Sequence, residues 1–465
     1  MNRKQLLLAI LLLCSCSISA QDSTGISRKE TSGGYNGIRL KLDESGQSYL
    51  RMNIWTQFWL RTIENNPGTA VNKHPEDWTL DAGMRRMRIQ IFGQVSPRFL
   101  LMLQLGSNNQ SFASGGGSGS GATGTGKRPP IYFHDAYGQF ILAPEVNPET
   151  KKANRYSLSI GAGLHCWNGV SRLTNASTIH LLTADAPIFN WPTIEMADQI
   201  TRMFGVFAKG NLGKLGYRIS VNKPFMTSQT PVVGGPAVDN NRGNIASVNG
   251  YFSYQFLDRD EVTTPFLSAS YYGKKKVLNV GAGVLYSPNS TMTQPVAGVF
   301  ESHSMLSLGA DVFCDLPVGK KEKDMTYTLY SVFYYSDFGK DYLRTTAVMN
   351  PGMIDTTYTG VRAMEGVGNS RFLLGTGEIW YTQTAWMLPK WSSKVRFQPY
   401  AAYTWKKFMA LNQPGQSYNL GINLLFEGNH ARISLDYGSR PLYSALDKKV
   451  FKRAGEFLIM TQFWL

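Results

Sequence analysis

The segment Met84-Arg85-Arg86-Met87-Arg88-Ile89-Gln90-Ile91 alternates charged or polar side chains with apolar ones from Arg86 onward. In an extended strand, successive side chains point to opposite faces. Arg86, Arg88 and Gln90 therefore share one face, and Met87, Ile89 and Ile91 the other. Guanidinium groups gathered on one face of a wall can select anions. The same reading isolates Arg51, Arg61, Arg218, Arg396 and Arg432, the last three beside Ser220, Gln398 and Ser434. Lys209 lies in a segment that alternates poorly. A structural role competes: these cations can pair across strands with Asp135, Asp311, Glu378 and Asp436 and hold the wall together. Other chemistry is sparse. His74, His134, His165, His180, His303 and His430 show no metal-pair spacing, and neither HExxH nor GxSxG occurs. The expectation is a non-enzyme with no cofactor and no metal. The glycine-rich run Gly115–Gly126 lacks a following Lys-Ser/Thr and reads as a flexible loop, not a phosphate cradle.

The elements that carry these arginines are strands. No run of 18 apolar residues provides a transmembrane helix. Segments of about ten residues alternate instead. Tyr418, Leu420, Ile422, Leu424 and Phe426 oppose Asn419, Gly421 and Asn423; Ile433, Leu435 and Tyr437 oppose Arg432, Ser434 and Asp436. A soluble β-sandwich also alternates. Here the polar faces are rich in Gly, Ser, Asn and Arg, and aromatics gather at segment ends, as in Tyr334-Tyr335 and Tyr403 with Trp405. Short connections (95–98, 210–214, 427–430) also alternate with long ones (63–82, 107–130, 165–200, 224–246, 339–369). Those features predict an all-β fold, a transmembrane antiparallel β-barrel with short periplasmic turns and long extracellular loops. An arginine facing lipid at mid-membrane depth costs about 2–4 kcal/mol, so the arginines above are expected to face the lumen.

The pentapeptide Thr-Gln-Phe-Trp-Leu occurs twice, at 56–60 and at 461–465. A barrel in lipid must close, because an open edge leaves backbone groups unpaired. The two copies are expected to be neighbours at the seam, with Phe58 and Phe463 toward lipid and Gln57 and Gln462 toward the lumen. Seventeen candidate strands are found, of which Pro265–Tyr272 is the weakest. With both ends in the periplasm the number must be even, which gives sixteen strands, with eighteen as the alternative.

At the amino end, Arg3 and Lys4 precede an apolar run, Leu6–Leu13, and small residues up to Ala20. Residues 1–20 read as a secretory signal peptide, 21–47 as a polar periplasmic segment with a short extended piece near 37–42, and 48–465 as the barrel. A lipoprotein-type cut before Cys16 is the rival. Cys166 and Cys314 read as two small apolar side chains and not as a disulfide. The net charge of +15 suits anionic partners. Nucleic acid is not expected, because Lys and Arg are scattered among apolar residues. The connection His165 to Ile200 carries Trp167, Phe189, Trp191 and Glu195. A loop this apolar is expected to fold into the barrel and narrow it, with Trp167, Trp191 and Glu195 at the constriction.

The segments WTQFWLRTIENNPGT, DAGMRRMRIQIFGQVSPRFLLMLQLGSNNQSF, YYGKKKVLNVGAGVLY and QPYAAYTWKKF, with the stretch from Phe189 to Phe225, resemble the phosphate-selective porin O and P-like family of Gram-negative outer-membrane porins. The resemblance implies a sixteen-stranded barrel, commonly a homotrimer, with a basic interior and inward-folded loops. Its arginine ladder and constriction lysines cannot be placed residue by residue in this chain. The expected role is an outer-membrane passive channel for small hydrophilic solutes with an anion preference, its partners being membrane lipid and small anionic or polar solutes. The alternative is a closed barrel that acts as a structural or docking part of an envelope complex.

Overall fold

The computed structural model describes residues 38–111, 131–147, 149–150, 152–166, 169–194, 200–243, 246–262, 265–320, 324–390, 395–426 and 429–465. The expected signal peptide, the glycine-rich run, Trp167 and Glu195 lie outside the described residues.

Sixteen antiparallel strands form one closed barrel. In chain order they are β1 (Tyr49–Glu64), β2 (Trp78–Ser96), β3 (Phe99–Ser111), β4 (Tyr132–Ala143), β5 (Tyr156–His165) and β6 (Met203–Leu212). Next come β7 (Leu215–Lys223), β8 (Ser247–Gln255), β9 (Val277–Val296), β10 (Val299–Val318) and β11 (Met325–Asp337). The last are β12 (Gly377–Met387), β13 (Val395–Phe408), β14 (Gly415–Phe426), β15 (Ala431–Tyr443) and β16 (Val450–Trp464). Each pairs with the next, and β16 pairs with β1. Pro265–Tyr272 forms no strand, which settles the count at sixteen.

The seam joins the two pentapeptides. Gln57 lies directly opposite Gln462, flanked by Thr56 opposite Phe463 and Phe58 opposite Thr461. Both glutamines are fully buried, and the Gln57 amide donates to Gln462 Oε1 at 2.8 Å. Phe58 and Phe463 are exposed on the outer face. The repeat thus has a physical cause: both copies meet the same lumen and the same outer surface at the same height. Ile54 and Leu465 exchange two backbone hydrogen bonds at the end of the seam. Beyond that point a short strand, Ile38–Lys41, pairs with Tyr49–Met52 and covers the remaining edge of β1.

The outer face is apolar, with Leu60, Ile160, Leu420 and Leu435 all exposed there. Aromatic rings form chains near both ends of the wall. Trp380, Tyr403 and Tyr418 contact in succession at 5.6 and 5.4 Å near the loop end. Tyr327 meets Trp386 at 5.7 Å near the turn end. Such girdles mark the two interfaces of a membrane band. Leu420 is central in β14 and 60% exposed. Leu420→Arg is therefore expected to lower barrel stability by about 2–4 kcal/mol, read by urea unfolding from lipid vesicles; the serine variant of the same residue should cost much less.

Connection lengths follow the expected alternation with one inversion. The outer connection between β9 and β10 is only Ala297-Gly298, with Gly298 at φ 82°, where glycine is favoured. The neighbouring periplasmic connection, 256–276, is long and turns into the barrel, as Asp260, Leu267 and Ser270 are buried. Two of the outer loops pair with each other: Met353–Ile354 forms a small ladder with Thr69–Val71. Cys166 and Cys314 are free thiols, the first buried.

Candidate functional site in the barrel lumen

The arginines of β2 do not alternate perfectly. Met84 registers with Phe58 and Arg86 with Gln57, which leaves Arg85 as an extra residue in a β-bulge. A bulge lets two consecutive side chains face the same way, and Arg85 and Arg86 are both fully buried in the lumen. Strict alternation would have sent Arg85 to lipid; the bulge is what corrects that reading, and Arg85 joins the site. On the neighbouring strand Asn109, opposite Arg85, has φ 59°, and its amide oxygen accepts from Arg85 Nη1 at 2.8 Å.

Both arginines bind one carboxylate, Asp185. Arg85 Nε donates to Asp185 Oδ2 at 2.9 Å, and Arg86 Nη2 donates to Oδ1. Arg86 also donates to Gln57 Oε1 at 2.9 Å, at the seam. Asp185 belongs to the long loop between β5 and β6, so this loop is tied to the wall inside the barrel. Residues 169–194 of it are almost entirely buried. Trp191 starts a four-residue helix, Trp191–Ile194, donates its indole N–H to the Ala186 carbonyl at 3.0 Å, and lies 4.7 Å from the Arg85 guanidinium carbon.

The other basic candidates sit at different heights and have different partners. Arg432 donates to the Leu181 carbonyl at 2.6 Å. Asn423 and Asn429 likewise donate to the carbonyls of Leu182 and Ile179 at 2.8 and 2.6 Å. The wall thus satisfies the backbone of an irregular loop that no ladder serves. Arg218 donates to the Pro265 carbonyl of the inward periplasmic connection at 2.6 Å. Arg88 binds the Ser107 carbonyl and Asn108. Arg61 bridges Asp81, Glu456 and the Val348 carbonyl of an outer loop. Arg51 lies 4.4 Å above the Phe92 ring. Arg396 stands apart: it pairs with Asp324 at the periplasmic rim at 2.9 Å.

The cross-strand acids suggested by the sequence are engaged differently. Asp135 pairs with Arg202 at the end of the long loop. Asp311 accepts from Tyr251 and Tyr330 and from the backbone of Arg172. Asp436 accepts from Tyr400 and Asn419.

Two inward loops meet in the lumen. Arg172, from the outer loop, grips Asp260, from the periplasmic connection, with two hydrogen bonds of 2.7 and 2.9 Å. Its guanidinium also binds the Ser268 carbonyl and lies 3.9 Å from the Phe313 ring centre. Backbone bonds link Ser177 to Leu267 and Leu267 to Asn175 at 3.0 and 2.7 Å. Val170, Leu173, Phe189 and Ile194 pack against Leu285, Tyr334 and Tyr381 of the wall. Burial alone would raise the Asp260 carboxyl, but the charge and hydrogen bonds of Arg172 outweigh it and hold it below its usual value. Burial lowers the His180 imidazole of the loop to about 3, so it is neutral there. The two loops thus meet and bond to each other inside the barrel.

Above the Asp185 anchor a cavity of about 160 Å³ remains between the loop and β12–β16. Trp191, Phe189, Tyr381, Lys406, Arg440 and Glu365 line it. Burial pushes the Glu365 carboxyl, on an outer loop, up to about 7. Among the described residues no cluster of three His, Cys, Asp or Glu side chains comes together to hold a metal ion.

No family model matches the chain, and no curated protein sequence matches it. Among solved structures, the barrel is similar to the outer-membrane channel DcaP of Acinetobacter baumannii, at 12% identity over 90% of this chain and 97% of that one, TM-score 0.45. It is similar to Salmonella typhi OmpF, in its complex with daunomycin, at 10% identity over 92% and 100%, TM-score 0.46. It is also similar to an anion-selective porin from Comamonas acidovorans, at 10% identity over 90% and 100%, TM-score 0.45. Likenesses at these values assign neither a family nor a solute to this chain.

Proposed function

We propose that the protein is an outer-membrane channel of the porin type for small hydrophilic solutes, with a preference for anions. The observation that carries this reading is a closed, outwardly apolar barrel whose polar inner wall holds an inward-folded loop through arginines. Loops of this kind set the width of a pore, and lumen arginines set its charge selectivity. On this reading, how tightly the loop is held to the wall sets how easily solutes pass. Phosphate, suggested by the sequence resemblance, is one solute to test, and assembly as a trimer belongs to the same proposal.

The test is the purified protein in a planar bilayer under a salt gradient, first with chloride and then with phosphate. A steady conductance is expected, with a reversal potential on the anion side. Two inward loops bonded to each other favour a second reading, a closed barrel that docks other envelope components. Properly folded barrels that pass no current, alone or with the loop released, would select that reading over the channel.

A further inference from the structure

The cavity above Asp185 has an imbalance of charge partners. Lys406 Nζ projects into it from β13, donates to the Phe372 carbonyl at 3.2 Å and lies 5.8 Å from the centre of the Phe189 ring. Among the described residues it has no carboxylate within ion-pair distance. Arg440, 8% exposed, is bound to two carbonyls, of Glu64 at 3.1 Å and Ser370 at 3.5 Å. Glu365 also lines the cavity, at no ion-pair distance from Lys406, and both its oxygens accept from the Tyr443 backbone N–H, at 3.1 and 3.2 Å. A partly desolvated ammonium without an acid partner is costly, and an incoming anion relieves that cost.

The rest of the cavity is aromatic and rigid. Phe189 meets Tyr334 and Tyr381 edge-on, each at 5.6 Å. Trp191 is fixed by its bond to Ala186. The volume is close to that of an engineered protein cavity of about 150 Å³ that takes up benzene. Three further acids line it, and each has partners of its own: Asp185 has Arg85 and Arg86, Asp436 has Tyr400 and Asn419, and Glu456 has Arg61 and Arg371. That leaves Lys406 as a cation without an acid beside flat rings, the pattern of a site for a compact organic acid.

We propose that this cavity is a binding site for a small monocarboxylate whose body is about the size of one ring, its carboxylate on Lys406 and its ring against Phe189 and Trp191. The solute's role as cargo rests on the channel reading; its binding does not. The loop segment that supplies Phe189 and Trp191 also carries Asp185, so occupancy and loop position share one piece of chain.

The test is equilibrium dialysis of benzoate against the full barrel in detergent, with conductance measured in parallel. Saturable one-to-one binding is expected, at least tenfold weaker in Lys406→Met and restored in Lys406→Arg. Lys407→Met, whose side chain is exposed on the other face, should bind as the parent does. Heat-modifiable migration on gels verifies that each variant is folded. The proposal falls if folded parent protein shows no saturable binding, or if Lys406→Met binds equally. It also falls if benzyl alcohol binds as tightly, or if inorganic phosphate competes as well as benzoate does. Binding without conductance would keep the site and remove the channel; conductance without binding would do the reverse.

Discussion

Asp185→Ala is expected to open the barrel. This carboxylate is the common partner of Arg85 and Arg86, and both arginine side chains are fully buried while Asp185 is 10% exposed. Removing one partner of a buried pair costs up to about 3–5 kcal/mol, an upper bound here because Arg85 keeps Asn109 and Arg86 keeps Gln57. At about 1.4 kcal/mol per tenfold, the population with the loop detached should rise by at least tenfold and by at most about three and a half orders of magnitude. The loop keeps its carbonyl bonds to Arg432, Asn423 and Asn429, so it should loosen first around 183–191. In a planar bilayer the variant should show a higher open probability than the parent. It should also show a stronger anion preference, since the wall beside Arg85 and Arg86 loses one negative charge. Asp185→Glu, which keeps the charge, should stay near the parent. Unchanged current together with unchanged amide exchange in the loop would show that the anchor does not gate passage.

The barrel was legible because membrane strands obey a local rule of period two, which a sequence displays directly. The seam was legible for a related reason, as two strands that share both environments converged on the same residues. Arg85 was not, because a bulge is a departure from the period. Nothing local distinguishes an inward second arginine from an outward one until the register slip between Gln57 and Phe58 opposite is known. The partners of the arginines were harder still. Register pairs strands, so the sequence pointed to acids on neighbouring strands. The observed partners, Asp185, Asp260 and the carbonyls of 179–182, lie in irregular loops whose positions follow from long-range packing. Trp191 and Phe189 did signal that the outer loop seeks cover. The inward turn of 256–276 gave only weak alternation near Pro265–Tyr272, because its contacts come from the other loop, some ninety residues away in sequence, and not from a strand ladder.

That loop-to-loop contact yields the second large effect. Asp260 receives both terminal nitrogens of Arg172, and it also accepts from Asn279 at 2.6 Å and from Tyr271. Asp260→Ala leaves Arg172 buried without an acid and should weaken docking of the two loops by about 3–5 kcal/mol. Amide exchange at Ser177 and Leu267, whose backbones are joined across the contact, should accelerate accordingly, while exchange in the β12–β14 wall stays unchanged. The pH dependence has a definite sign. A carboxyl held below its usual value contributes stability above that value and loses it only as pH falls through the lower one. The contact should therefore survive mild acid and open only below the ordinary carboxylate range. Conductance distinguishes the two anchors. Asp185 ties the outer loop to the wall and Asp260 ties it to the periplasmic connection, and a clear path needs both to yield. The double variant should thus conduct more than the two single effects predict, since the anchors hold one loop in common. Strict additivity would mean that each anchor controls a separate route, and that the two loops do not act as one plug.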